Sequence, residues 1–146
     1  MTNQKRLVLD ANILLRAALG IRVLNILETY DGLVSFHTPD ICFRDARKYV
    51  GVISAKQNLD ATAGFLVLDR IALIVQTVDQ GLYEEHEAAA KARMRHRDLE
   101  DWPIVATSLL LKCPIWTEDQ DFFGSGIATW TTNTVELYMQ DSPLII

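Results

Sequence analysis

Four short stretches of this chain carry acids in a pattern that could do chemistry: Leu-Val-Leu-Asp10-Ala-Asn12, Arg44-Asp45-Ala46-Arg47, Asp98-Leu99-Glu100-Asp101 and Trp116-Thr117-Glu118-Asp119-Gln120-Asp121. Carboxylates brought together repel one another, and they either take up protons or recruit a cation. Mg²⁺ and Mn²⁺ suit such a set, because both prefer oxygen ligands, keep several waters and lower the pKa of one of them enough to make a nucleophile. The matching reaction is metal-assisted phosphodiester cleavage. Thr117 could orient a water or a carboxylate, and Asn12 could hold Asp10 in place through its amide.

The elements around these acids decide whether they meet. Arg6 to Leu9 is a short apolar run ending in Asp10, and the segment from Asn12 reads as a helix stopped by Gly20. A second amphipathic helix covers Ile21 to Tyr30, Asp31-Gly32 is a turn, and Leu33 to Thr38 is a strand. Pro39 can open the helix that carries Asp45 and runs to about Gly51 or slightly beyond, with Ile41, Ala46, Tyr49 and Val50 on its inner side. Leu59 to Ile71 reads as a helix despite Gly64, Ala72 to Thr77 as a strand, and Leu82 to about Arg95 as a polar helix with Glu87 and Lys91 at a favourable spacing. Pro103 to Leu111 is a buried helix whose first turn bears the Asp98 to Asp101 cluster, and Cys113 to Trp116 is a strand delivering Thr117 and Asp119. A turn over Phe122 to Gly126, a strand over Ile127 to Thr131 and a helix over Thr132 to Met139 complete the chain. Strands alternating with helices imply an α/β fold with a mostly parallel sheet of five strands covered on both faces. Ligands of such sheets bind beyond the carboxyl ends of the strands, where Asp10 and Asp119 would sit.

Each acid also has a plainer role open to it. Asp10 could cap the first helix, and Asp98 with Asp101 three residues later resembles a capping box. Asp45, beside Arg44, Arg47 and Lys48, could be a solvated helix acid, and Asp121 could support the Phe-Phe-Gly turn. Asp60, Asp69, Asp79 and the Glu84, Glu85, Glu87 run read as surface charge. His37, His86 and His96 lack a zinc spacing.

With 146 residues the chain is expected to be one domain, residues 1–146, with enough apolar content to bury a core. Its 14 basic and 19 acidic residues give a net charge of −5, which excludes a general nucleic-acid coat protein, since phosphate neutralisation needs excess Lys and Arg. Any hold on RNA would be local and metal-bridged. Cys42 and Cys113 lie in apolar runs without paired spacing, pointing to a reduced, cytoplasmic protein. No signal peptide or membrane-spanning run is read from the sequence.

Taken as a set, Val-Leu-Asp10-Ala-Asn12, the Asp45 helix, Asp98-Leu-Glu-Asp101-Trp-Pro-Ile-Val-Ala and Trp-Thr117-Glu-Asp119-Gln-Asp121-Phe resemble the PIN-domain family of metal-dependent ribonucleases, particularly VapC-like toxins and their single-domain relatives. The resemblance spans essentially the whole chain. It implies a three-layer α/β/α sandwich, hydrolysis of single-stranded or loop RNA with Mg²⁺ or Mn²⁺, frequent homodimers and, for toxins, a small antitoxin encoded alongside. It further implies a catalytic and metal-binding quartet of Asp10, Asp45, Asp101 and Asp119, supported by Asn12, Thr117, Asp98 and Asp121. The family's second acid is usually Glu, where this chain has Asp45. The basic run Lys91, Arg93, Arg95, His96, Arg97 could guide phosphate to the metals or simply be a solvated helix face.

Other classes fit less well. A phospho-accepting receiver domain would pair acids after its first strand and place a lysine after its last, and a haloacid-dehalogenase-type phosphatase would have Asp where Asn12 stands. A PIN fold that binds or regulates without turnover is the closer rival. The apolar tail Pro143-Leu-Ile-Ile146 is expected to dock on its own domain or on a second subunit.

Overall fold

The computed structural model describes residues 4–95 and 97–140, so His96 of the basic run and the Pro143 to Ile146 tail lie outside the described residues. Five parallel strands form the sheet: β1 (Lys5–Leu9), β2 (Val34–Pro39), β3 (Val75–Val78), β4 (Ile115–Trp116) and β5 (Thr129–Trp130), in the order β3-β2-β1-β4-β5. The chain therefore starts in the middle strand, builds outward to one edge, then returns to build the other. Strand order reverses between β1 and β4, which leaves a crevice at their carboxyl ends.

Between β1 and β2 run α1 (Ala11–Leu19) and α2 (Arg22–Tyr30), and between β2 and β3 run α3 (Asp40–Lys56) and α4 (Thr62–Ile71). These helices pack mutually through α1. Between β3 and β4 come α5 (Gln80–Tyr83), α6 (Glu87–Arg93) and α7 (Trp102–Leu111), of which α7 packs on β1 and β2. α8 (Val135–Gln140) follows β5. The result is the expected α/β/α sandwich.

Leu7, Val8, Leu9, Phe36, Ile115 and Trp116 have almost no exposed surface. Apolar side chains on both faces of a central strand require a helical layer on each side, and the unbroken apolar runs of β1 and α7 reflect that. Gly64 is needed within α4, because a Cβ there would lie 2.7 Å from Val50 Cγ1 on α3. The helix pair packs closely only without it.

Several boundaries differ from the sequence reading, each for a local reason. The Leu82 to Arg95 helix is broken: α5 ends at Tyr83, Glu84–His86 tighten into a 3₁₀ turn, and α6 starts at Glu87. Tyr83 is 1% exposed and donates its hydroxyl to Asp40 Oδ1 at 2.9 Å, so the chain is pinned inward at that point. β3 begins later than Ala72, because the amides of Ala72, Leu73 and Ile74 still bond back to carbonyls of α4. α4 starts at Thr62, whose amide and hydroxyl both donate to Asp60 Oδ1, so Asp60 is a turn-forming acid rather than idle surface charge. β4 and β5 are short, since β4 pairs with β1 only at Val8 with Ile115 and Leu9 with Trp116, and β5 pairs with β4 only at Thr129 with Ile115 and Trp130 with Trp116. No helix among the described residues is long and apolar enough to cross a membrane.

Candidate functional site

The reversal of strand order places Asp10, at the end of β1, beside Thr117, at the end of β4. Asp10 is 7% exposed, and both its carboxylate oxygens are engaged. Oδ1 accepts from the Ala11 amide at 2.6 Å, while Oδ2 accepts from the Asn12 side-chain amide at 3.0 Å and from the Thr117 hydroxyl at 2.8 Å. Capping and siting therefore coincide in this residue. Burial pushes the Asp10 carboxyl above its ordinary value, and Asp119 and Asp45 push it further, against the pull of the Thr117 and Ala11 hydrogen bonds.

Thr117, 2% exposed, is the joint of the site. Its hydroxyl donates to Asp10 and accepts from the Asp119 amide at 2.9 Å, and the Asn12 amide reaches it at 3.3 Å. Asn12 Oδ1 in turn accepts from the Glu118 amide at 3.3 Å. Asn12 and Thr117 thus lock the loop after β4 to the start of α1.

Asp119 opens a 3₁₀ turn over Gln120–Phe122, accepting the Asp121 amide at 2.9 Å. That turn carries Asp121 inward. One carboxylate oxygen each from Asp101, Asp119 and Asp121 lie within 4.8 Å of one another, all on half-buried residues. Asp98 caps a 3₁₀ turn over Leu99–Asp101 through the Glu100 amide at 3.0 Å, which sets Asp101 at the mouth of α7. Burial pushes the Asp101 carboxyl up to about 7, with Asp10, Asp98, Asp119 and Asp121 adding repulsion.

A cleft of about 600 Å³ opens over this edge, lined by Asp10, Asp45, Asp98, Glu100 and Asp101 together with Tyr49 and Trp102. Asp45 reaches the cleft from α3, and both it and Asp10 lie outside the trio of Asp101, Asp119 and Asp121. The donor set is all oxygen, closely spaced and burdened by its own repulsion, which fits a hard divalent ion such as Mg²⁺ or Mn²⁺.

Of the basic run, Lys91 bonds Glu87 at 2.7 Å and lies 5.7 Å from the centre of the Trp102 ring. Arg93 donates to the Ser125 carbonyl at 2.8 Å, filling the space where a Cβ on Gly126 would stand. Arg95 and Arg97 are exposed.

The sequence reading missed Asp40. Besides Tyr83, it accepts the Ile41 amide at 2.8 Å and the Gln80 amide at 3.2 Å, tying the start of α3 to α5. An acid just after Pro39 at a helix start was the available signal.

Comparison with known proteins agrees with this architecture. No curated protein sequence matches the chain. Among solved structures it is similar to VapBC2 from Rickettsia felis, bound to a DNA fragment from their promoter, at 12% identity and a TM-score of 0.66 over 86% of this chain and 98% of that one. It is similar to PAE2754 from Pyrobaculum aerophilum at 13% identity and a TM-score of 0.70, covering 94% and 90% of the two chains. FitAcB from Neisseria gonorrhoeae is similar at 20% identity and a TM-score of 0.59, covering 86% and 97%. At these identities the likeness is one of fold. The family model described as PIN domain matches residues 8–140, nearly the whole chain, and the protein belongs to the PIN-domain family.

Proposed function

We propose that the protein is a Mg²⁺- or Mn²⁺-dependent endoribonuclease, the toxin of a toxin-antitoxin pair. The observation that carries this reading is the grouping of Asp101, Asp119 and Asp121 within 4.8 Å, at the strand-order reversal where Asp10 also ends its strand. Asp10, Asp101 and Asp119 would hold the ion, with Asp121 beside them and Asp45 completing the set from α3. The bound ion supplies a Lewis acid that activates water and offsets charge on the phosphate.

The chain's own residues have the remaining tasks. Thr117 and Asn12 fix the orientation of Asp10, so that the acid needs no rearrangement when substrate arrives. Asp98 fixes Asp101 in the same way through the turn it caps. Among Lys91, Arg93, Arg95 and Arg97, the exposed pair Arg95 and Arg97 is best suited to meet RNA phosphate, since Lys91 and Arg93 already have partners. A small antitoxin belongs to the same proposal, supported by fold similarity to VapBC2 and FitAcB, and a homodimeric state and a cytoplasmic setting are proposed with it.

A second reading, a PIN-fold binding or regulatory protein without turnover, draws on Asp45, one methylene shorter than the Glu usual at that place. Purified, partner-free protein incubated with a mixed single-stranded RNA pool, with Mg²⁺, with Mn²⁺ and with chelator, separates the two. Cleavage in the metal arms alone is expected. Protein that binds metal and cuts nothing would favour the second reading.

A further inference from the structure

The acids explain how the cleft could hold a phosphate and leave unexplained what would hold a base. On α3, Ile41 and Tyr49 lie one helical turn before and after Asp45, and all three line the cleft. Tyr49 keeps 49% of its surface exposed, and its hydroxyl has no hydrogen-bond partner among the described residues. Neither core packing nor a polar anchor accounts for an aromatic residue there.

A second aromatic comes from a different layer. Trp102 directly follows Asp101 and lines the same cleft. The buried Tyr83 packs edge-on against it at 5.5 Å and 62°, and the Lys91 ammonium lies 5.7 Å from its ring centre, so Trp102 is held in place while Tyr49 is not. Gln80 adds a side-chain amide to the same lining. Every nucleobase presents a π-face that stacks on an aromatic ring, and a base in a duplex is already occupied on both faces.

We propose that Tyr49 is a base-stacking residue, receiving an unpaired base of the nucleotide beside the phosphate at the acids, with Trp102 as a second, fixed platform. This rests on the ribonuclease reading.

The test has a binding arm and a turnover arm. In Ca²⁺, anisotropy of a labelled single-stranded RNA should show Tyr49→Ala binding on the order of tenfold more weakly than wild type, Tyr49→Trp restoring affinity and Tyr49→Leu failing to. In Mn²⁺ the same loss should fall on KM and leave kcat unchanged. Removing bases one at a time from the RNA should reveal a position where wild type loses what Tyr49→Ala loses, and where combining the two changes costs nothing more.

Three results would overturn the inference: a folded Tyr49→Ala with wild-type affinity, a Tyr49→Leu that restores binding as well as Trp does, or a Tyr49→Ala whose main effect is to turn a dimer into monomers, which would assign the residue to a second copy of the chain. Wild type that neither binds nor cuts RNA would remove the ribonuclease reading as well. Wild type that cuts, with Tyr49→Ala cutting equally, would remove the stacking residue alone.

Discussion

Clefts of similar size open at the two ends of the sheet, and they carry opposite charge. Toward the amino ends, a cleft of about 700 Å³ is lined by Lys5, Arg6 and Lys112 with Ser35, His37 and Gln76, and by no acid among the described residues. The cleft at the carboxyl ends, about 600 Å³, is lined by five acids and no Lys or Arg among the described residues. The difference that matters is that Lys5 and Arg6 have partners, whereas the acids mainly face one another. Arg6 donates to the carbonyl of Leu111, the last residue of α7, at 3.4 Å, and Lys5 donates to the Tyr138 carbonyl in α8 at 2.5 Å, so these cations serve helix ends. His37 pairs with Ser35 at 2.7 Å and is held below its ordinary pKa by burial, with Arg6 adding to the effect. The acids at the other end instead raise one another's pKa. Mutual repulsion, rather than charge as such, sets the acidic end apart and fits it to a cation.

The largest effect that could break this contrast is on turnover. Asp10→Asn or Asp119→Asn should reduce RNA cleavage by at least about a hundredfold, since each removes a charged ligand with little change of shape. Arg6→Ala or Lys112→Ala at the opposite end should leave kcat/KM within about twofold. Cleavage that survives Asp10→Asn would end the metal mechanism.

Next in size is stability. Mn²⁺ at about a hundred times its Kd should add about 2.7 kcal/mol and raise Tm by roughly 5–10 °C, and Asp119→Asn should lose most of that shift. A melt indifferent to saturating metal would show that the acids are answered in some other way.

The two ends should also respond to pH with opposite sign. Asp101 titrates near 7 in the folded protein against 3.8 as its ordinary value, so between those values the folded state holds the extra proton. Metal-free stability from this group should fall as pH rises from about 4 to about 7 and level off above, and Asp101→Asn should flatten that slope. His37 is lowered from 6.5, so there the unfolded chain holds the extra proton, and stability should rise with pH up to about 6.5. Chemical denaturation at a series of pH values, for wild type, Asp101→Asn and His37→Gln, resolves the two contributions. Since the ion requires ionised acids, metal affinity measured by calorimetry should climb over the window of Asp101.

The smallest effect is the most discriminating. Asp45→Glu lengthens the acid toward the family norm and should leave cleavage unchanged or increase it severalfold if Asp45 is a working ligand. A marked loss would mean that the shorter acid is fitted to its place.

Most of the fold was legible in the sequence because its signals are local. Apolar runs such as Leu7 to Leu9 and Ile104 to Ala106 announce burial on both faces, and the Asp10, Thr117 and Asp119 stretches follow their strands directly. The parts that escaped depend on contacts distant in sequence. The break after Tyr83 is set by Asp40, 43 residues away, and the close approach that requires Gly126 is made by Arg93. Asp121 read either as support for the acidic quartet or as support for a turn, and its position in the trio follows from the 3₁₀ turn that Asp119 itself initiates. Tyr49 and Ile41 read as inner-face residues of their helix beside Ala46 and Val50, yet both are exposed, and the cleft they line is what gives Tyr49 meaning.

The hydrogen bond from Thr117 to Asp10 joins residues 107 apart in the chain. During synthesis, Asp10 leaves the ribosome long before the strand that anchors it exists, and at about 5–20 residues per second that interval lasts for seconds. The acids cannot gather until β4 has paired beside β1. On the ribonuclease reading, a nascent chain that cut RNA would endanger its own message, and this strand order would hold back assembly of the acids until β4 has been made. Chains ending at Pro114 should accordingly show no cleavage, however well their first half folds.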